Sequence, residues 1–479
     1  GFDLAFADLY CRDGLVKLDQ AFLNFLQQGD AGLRARLDHA RAHPDELNHK
    51  DESALLVELG PWVEDFIARL FGIETEVHAL ASRHHELAPL YSCKRQFVQR
   101  RAMSKVSEAE ASAVDGMVLE QKLAAEFGAP FSELVFATQV NQWLQDETAN
   151  DERVRTALLY AAWALKTPAG KERSRAGVLF KSPAKLDPLH LLTTVAENVD
   201  GYTIHSLQHI RRREGFALTD AGTGLTGALD QANYCIWCHE QEKDSCAKGL
   251  KQKPWTGEGK APFKKSQFGV TLAGCPLEEH ISEFQKLKAE GVAIGSLAMI
   301  VLDNPMCAAT GHRICNDCMK SCIYQKQEPV NIPEVETRTL KDVLELPWGF
   351  EIYSLLTRWN PLNLRRPLPL PPTGRKVLVV GMGPAGFTLA HHLINDGHTV
   401  MGIDGLKIEP LSPDISGMNE RGGRVPFKAI RDAGELGENL NERTPAGFGG
   451  VAEYGITVRW NKNFLKLIRL LLERREQFA

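Results

Sequence analysis

The sequence predicts a chain of mixed class, with a helical N-terminal half, a cysteine-bearing helical segment and the opening of an α/β domain. Three observations carry this expectation. Apolar residues recur at helical spacing through residues 1–225. Eight of the ten cysteines crowd between Cys235 and Cys322. From Lys376 the pattern becomes strand, glycine turn, helix and second strand. With 479 residues, the chain exceeds what one core usually holds, so several domains are expected.

Composition narrows the function classes. Hydrophobic residues make up 43% and charged residues 24%, the balance of an ordinary globular protein. Lys and Arg number 56 against 61 acidic residues, a net charge of −5. That balance lacks the basic footprint of a nucleic-acid partner. The longest apolar run, Gly291 to Leu302, is too short to cross a bilayer, so no membrane span is expected. Disulfide frameworks belong to small secreted domains, whereas concentrated cysteines in a large chain point to metal. A reducing, cytoplasmic compartment is the matching expectation, and no secretory signal pattern opens the sequence.

In residues 1–225, Leu15, Leu18, Phe22 and Leu26 form a helical stripe, with Asp13 as the expected N-cap and Gly29 as the stop. Pro61 reads as a first-turn proline, ahead of Trp62, Phe66 and Leu70 on one face. A further helix is expected from Glu152 to Leu165, closed by the turn Thr167-Pro168-Ala169-Gly170. Isolated Cys11 and Cys93 read as ordinary thiols and His84-His85-Glu86 as a solvated face. Lys94-Arg95, Arg100-Arg101 and Arg211 to Arg213 read as helix surface. Nothing in this half names a role.

Residues 226–345 carry the cysteines as Cys235-x2-Cys238-x7-Cys246, then Cys275-Pro276, then Cys307-x7-Cys315-x2-Cys318-x3-Cys322. A tight run of thiolates in one short loop suits a cubane iron–sulfur cluster, and eight thiolates suffice for two. Structural zinc, which more often uses two separated pairs per site, is the alternative on spacing alone. His239, next to Cys238, reads as a neighbour of a cluster rather than a ligand. Residues 346–372 end in Arg365-Arg366-Pro367-Leu368-Pro369-Leu370-Pro371-Pro372, which reads as a stiff polyproline spacer.

Residues 373–479 open with a buried strand, Val377 to Val380, followed by Gly381-Met382-Gly383-Pro384-Ala385-Gly386. Ala385, Leu389 and Leu393 mark the helix, Asn395-Asp396-Gly397 the turn, and Thr399 to Ile403 the second strand, ending at Asp404. In such a Rossmann-like βαβ unit the first glycine makes the turn. The second lets backbone approach a pyrophosphate, and the third lets helix and strand pack closely. Asp404 stands where a carboxylate can accept from ribose hydroxyls. A last helix is expected from Asn463 to Glu476. One such motif cannot close a doubly wound sheet, so only the front part of this domain is expected here.

Several of these motifs, in order, resemble the glutamate synthase small subunit and the N-terminal part of dihydropyrimidine dehydrogenase. They are Gly274-Cys275-Pro276-Leu277, Asn304-Pro305-Met306, Thr310-Gly311-His312-Arg313-Ile314-Cys315 and Pro329-Val330-Asn331-Ile332, followed by the Gly381–Gly386 loop. The stretch Gly449-Gly450-Val451-Ala452-Glu453-Tyr454-Gly455-Ile456 resembles the family's flavin-contact motif. The resemblance spans residues 230–479. It implies an α-helical ferredoxin domain with two [4Fe-4S] clusters, then an FAD domain contacted by Gly381, Gly383, Pro384, Ala385, Gly386, Asp404, Gly449, Gly450, Val451, Tyr454, Gly455 and Ile456. It further implies interleaved ligands: Cys235, Cys238, Cys246 and Cys322 on one cluster, and Cys275, Cys315 and Cys318 on the other. Glu336 stands where the family has its fourth ligand. Cys307 departs from the family pattern and is the other candidate, and the insertion between Cys246 and Cys275 is a second departure.

The expected activity is electron transfer between NAD(P)H, FAD and two [4Fe-4S] clusters, with another redox domain or subunit as donor or acceptor. NAD(P)H is expected to bind outside this chain, which would be a portion of a longer polypeptide or one subunit of an oligomer or larger complex. The alternatives are a non-catalytic assembly subunit, and a cluster-only wire without flavin. No Ser/His/Asp or paired-carboxylate spacing marks a catalytic residue.

Overall fold

The computed structural model describes residues 2–207, 222–241, 243–253, 256–257, 259–310, 315–405, 411–436 and 465–479. Its first long helix, Arg12–Gly29, buries Leu15, Leu18, Phe22 and Leu26 as the stripe requires. Cys11, not Asp13, is its N-cap, and Asp13 lies in the first turn. The next helix, Ala31–Ala42, starts at once because the Asp30 carboxylate accepts the Leu33 N–H at 2.8 Å.

Pro61 does not open a helix. It lies inside the 23-residue helix His49–Phe71, which Asn48 caps and Gly72, at φ 67°, ends. Burial of Leu55, Leu56, Leu59, Val63, Phe66 and Ile67 along one face outweighs the local cost of the proline. At Gly60 this helix meets the apolar helix Ala293–Asp303, where a Cβ on Gly295 would fall 2.6 Å from the Gly60 carbonyl oxygen. Only a glycine permits that approach.

Glu64, one turn on, accepts the Ile294 N–H at 2.7 Å. Burial pushes its pKa up to about 7 from 4.5. The native state therefore binds a proton that the unfolded chain has released. This contribution is complete below about pH 4.5 and lost as pH rises through about 7. Relative to Glu64→Gln, the wild type should lose on the order of 2 to 3 kcal/mol between about pH 5 and about pH 8. Denaturant melts of both proteins at the two pH values check this.

Two hydrophobic cores organise the described residues, and neither respects a boundary at residue 225. One runs from Leu9 to Leu80, then through the helices Ile281–Ala289, Ala293–Asp303, Ile332–Leu344 and Gly349–Leu356, and on to Phe387, Val400 and Leu467–Leu472. The other joins Leu90 through Phe180 with Leu229. The expected separate domain of residues 1–225 is thus divided between two cores, because Phe22 and Phe66 pack against Trp359. Nor is that half wholly helical. Strands β1 (Thr194–Val199) and β2 (Tyr202–Leu207) pair antiparallel through an Asp200-Gly201 turn and are exposed throughout. Positive φ at both turn residues is what an Asp-Gly hairpin supplies.

Other surface expectations also change. His84 is buried, its Nδ1 against the Leu80 carbonyl at 2.8 Å, and Lys94 is buried in an ion pair with Asp230 at 2.6 Å. Thr167 caps a further short helix, Pro168–Arg173, instead of closing a turn. Arg211 to Arg213 lie outside the described residues.

The proline-rich segment is pinned on both sides rather than free. Arg12 donates to the Pro369 carbonyl at 3.1 Å, and the Leu370 N–H donates to Asn395 at 2.8 Å. Arg365 pairs with Asp45 and Arg366 with Asp396, each at 2.7 Å. Beyond it, β3 (Lys376–Val380) and β4 (Thr399–Ile403) pair in parallel across the helix Pro384–Asn395. That helix buries Phe387, Ala390 and Ile394, while Ala385 and Leu389 are exposed, so the inward face is offset from the one expected. In β3 only Val379 is buried; Leu378 is 57% and Val380 76% exposed. The helix Leu465–Glu473 leads Phe478 alongside Val400, beginning a third parallel line in the sheet. No helix among the described residues is long and apolar enough to cross a membrane.

Candidate metal centres and dinucleotide loop

Cys235 follows the helix Leu225–Tyr234, Cys238 opens a 3-10 turn, and Cys246 sits in the short helix Ser245–Lys248. Cys322 comes from a loop 76 residues beyond Cys246 in number, yet all four line one tight pocket, whose free volume is only about 10 Å³. Ile281, Val330, Ile332 and Tyr324 complete its walls, and Tyr324 stacks on Tyr234 at 4.3 Å. The Cys246 thiol donates to Cys322, which holds the Cys322 thiol down at about 7. Backbone N–H groups of Ile323, Tyr324 and Val330 reinforce that shift. Burial pushes Cys235 up and Cys238 up to about 11. Three of the four thiols, Cys235, Cys238 and Cys246, resist ionisation in this apolar pocket and would become thiolates only against compensating positive charge of the kind a metal would supply.

The second set adjoins the first, because the Cys275 N–H donates to the Cys246 carbonyl at 2.7 Å. Gly274, at φ 89°, makes this possible, since a Cβ there would lie 2.4 Å from the Ala247 carbonyl oxygen. The insertion after Cys246 folds back on itself through Lys251 opposite Phe263 and Lys265 opposite Thr271. Leu277 and Glu279 N–H groups donate to the Cys275 sulfur, and the Asp317 N–H donates to Cys315 Sγ at 3.4 Å. Cys318 is pushed well up, first by burial, then by Glu279, Glu336, Cys275 and Cys315.

Glu336 is thus brought beside Cys318, with Asn304 donating to it at 2.8 Å. Cys307 also feels Glu336, but it is fully enclosed and hydrogen-bonds Tyr353. Glu279 was not legible in the sequence. Nothing periodic marks it; its closeness to Cys275 by four positions is the one signal. Burial, then the Glu336 charge, hold its carboxyl well above the usual range. His239 is buried against Ser282, whose hydroxyl lies 2.5 Å from its Nδ1.

At the end of β3, Gly381 adopts φ 91° and Gly383 caps the helix Pro384–Asn395 without a side-chain acceptor. A Cβ on Gly386 would sit 1.8 Å from the Gly381 oxygen, so the third glycine is required for packing. A Cβ on Gly383 would meet nothing within 4 Å, leaving open space above the helix N-terminus. Pro384 and Ala385 form the first turn there. Asp404 accepts the Met382 N–H at 2.8 Å, so its carboxylate also braces the loop. Gly449, Gly450, Val451, Tyr454, Gly455 and Ile456 lie outside the described residues.

The model of the RP005 N-terminal alpha-helical domain matches residues 1–72. The uncharacterized protein RP005 of Rickettsia prowazekii (strain Madrid E) is 32% identical over 298 residues, covering 60% of this chain and 98% of that protein. The chain belongs to the RP005 family. RP005 relationship extends well past the helical N-terminus, since nearly all of that protein aligns. The uncharacterized protein RP006 of the same organism is 57% identical over 173 residues, 36% of this chain. The small chain of NADPH glutamate synthase from Mycobacterium tuberculosis is 30% identical over 128 residues, 26% of this chain. This chain spans about a quarter of the length of each of these last two, 23% in both cases. Its partial likeness to an oxidoreductase subunit is therefore real and limited in extent.

Proposed function

We propose that this chain is the electron-transferring part of an FAD- and iron–sulfur-dependent oxidoreductase linked to NAD(P)H. The observation that carries this is the convergence of Cys235, Cys238, Cys246 and Cys322 on one apolar-walled pocket. In this reading those residues hold one [4Fe-4S] cluster, and Cys275, Cys315, Cys318 and Glu336 hold the other. When bound, FAD would supply two-electron hydride chemistry and the clusters one-electron transfer. The chain's own part is to fix the sulfurs, to donate backbone N–H groups to them and to exclude water. The Gly381–Gly386 loop, with Asp404, binds and orients the dinucleotide. NAD(P)H is proposed to bind on another domain or subunit, which completes the redox partner. A reducing, cytoplasmic setting is proposed with it, because cysteines that ligate clusters must not be tied up in disulfides.

Gly383→Val tests the flavin half of this proposal. A side chain in the open space above the helix should cost roughly 1–3 kcal/mol of binding, a 5- to 150-fold loss of flavin affinity. Iron and sulfide content should not change. Unchanged flavin binding in the variant, or a colourless zinc-loaded wild type, overturns the reading.

A further inference from the structure

A third group of ligating side chains, containing no cysteine, lies beside the first cysteine set and joins distant parts of the chain. His49 opens the helix His49–Phe71, Asp244 caps the helix Ser245–Lys248, and Glu283 lies in the helix Ile281–Ala289. One nitrogen or oxygen from each lies within 4.8 Å of the others. Both carboxylates are buried, Asp244 at 7% exposure and Glu283 at 0%.

The polar atoms here are unevenly satisfied. Asp244 turns Oδ1 to the Ala247 N–H at 3.4 Å and aims Oδ2 at His49 Nε2, 3.6 Å away. That separation is too long for a hydrogen bond, and neither atom has any other hydrogen-bond partner. Glu283 accepts from Ser53 Oγ at 2.5 Å and from Ser282 Oγ at 3.4 Å. Among the described residues no lysine or arginine pairs with either carboxylate. His280, ring to ring 6.5 Å from His49, spends its Nδ1 on Asp303 at 2.7 Å. Two buried carboxylates and an orphaned imidazole nitrogen, facing one another, form a costly pocket unless a cation sits between them.

We propose that His49, Asp244 and Glu283 bind one divalent first-row metal ion through a ligand set that shares no residue with the cysteine sites. An imidazole nitrogen with two carboxylates and no thiolate suits Mn²⁺, Fe²⁺ or Zn²⁺. Ligand distances near 2.0–2.2 Å require only that the three side chains close inward slightly. The ion would clamp a helix inside the N-terminal alpha-helical domain, residues 1–72, to the stretch of chain between Cys238 and Cys246.

Mn²⁺ is the discriminating probe, because thiolate sites favour softer ions. The full chain, purified anaerobically and cleared of loosely held metal with a chelator, is titrated with Mn²⁺. The room-temperature magnetic-resonance signal of free Mn²⁺ reports binding. The expected result is a single Mn²⁺ site per chain, displaced by lower concentrations of Zn²⁺. His49→Ala and Glu283→Gln should each weaken it about tenfold or more, with circular dichroism, iron and sulfide unchanged. No Mn²⁺ binding by the wild type, or equal binding by wild type and a folded Glu283→Gln protein, overturns the proposal.

Discussion

Replacing Cys235 and Cys322 together by serine should leave the protein with roughly half its iron and sulfide, the same loss as either single change. The two residues share one cavity, although Cys322 stands beside Cys318 in sequence and far from Cys235. If the cysteines were grouped in sequence order, the double variant would strip both sites and lose nearly all iron. Pairing Cys275 with Cys318 gives the matching experiment for the second set, since both respond to Glu279 and Glu336. Iron and acid-labile sulfide analysis under anaerobic conditions, with circular dichroism to establish folding, reads the result. Cys307→Ala should leave iron unchanged, because that thiol is engaged by Tyr353 in the core.

Glu351→Gln should destabilise the protein by about 3–5 kcal/mol, measured by chemical denaturation. Arg474 pairs with Glu351 at 2.7 Å, and both side chains are essentially sealed from solvent. The other Glu351 oxygen accepts the Tyr10 hydroxyl at 2.7 Å, and Arg474 also donates to that hydroxyl at 2.9 Å. The Ile430 N–H completes the carboxylate's partners at 2.8 Å. Glutamine keeps the shape and strands the guanidinium charge in the interior. Glu351→Gln combined with Arg474→Met should cost less than the two single changes added, because the second removes the charge the first abandoned.

Local chemistry was legible where it depended on a few neighbouring residues. Leu15, Leu18, Phe22 and Leu26 are buried as their spacing requires, and β4 spans the expected Thr399–Ile403. Gly381 takes a positive φ and Gly386 packs on the Gly381 carbonyl, as a tight strand-to-helix turn requires. What escaped were consequences of packing between distant segments. Pro61 reads as a helix start only until the Ala293–Asp303 helix packs against the preceding Gly60 and the helix runs on from His49. His84 and Lys94 look solvated until Leu80 and Asp230 receive them. The helix after the glycine loop turns Phe387 and Ile394 inward because of where β3 and β4 lie, a choice that an amphipathic pattern with two apolar faces leaves open. Glu279 and the His49–Asp244–Glu283 group arise from juxtaposition and have no motif to announce them.

The packing of the first helices on Trp359 has a consequence for synthesis. The Trp359 indole N–H donates to Asp19 at 3.0 Å across 340 positions, and the Phe22 and Phe66 rings close around the same indole. A ribosome adding about 5–20 residues per second reaches Trp359 roughly 17–70 seconds after Asp19. Throughout that interval the nascent helices show water an apolar face whose cover is not yet made. A chaperone acting early on this polypeptide would therefore be holding the segment around Phe22 and Phe66, and releasing it only once the chain had grown past the cysteines.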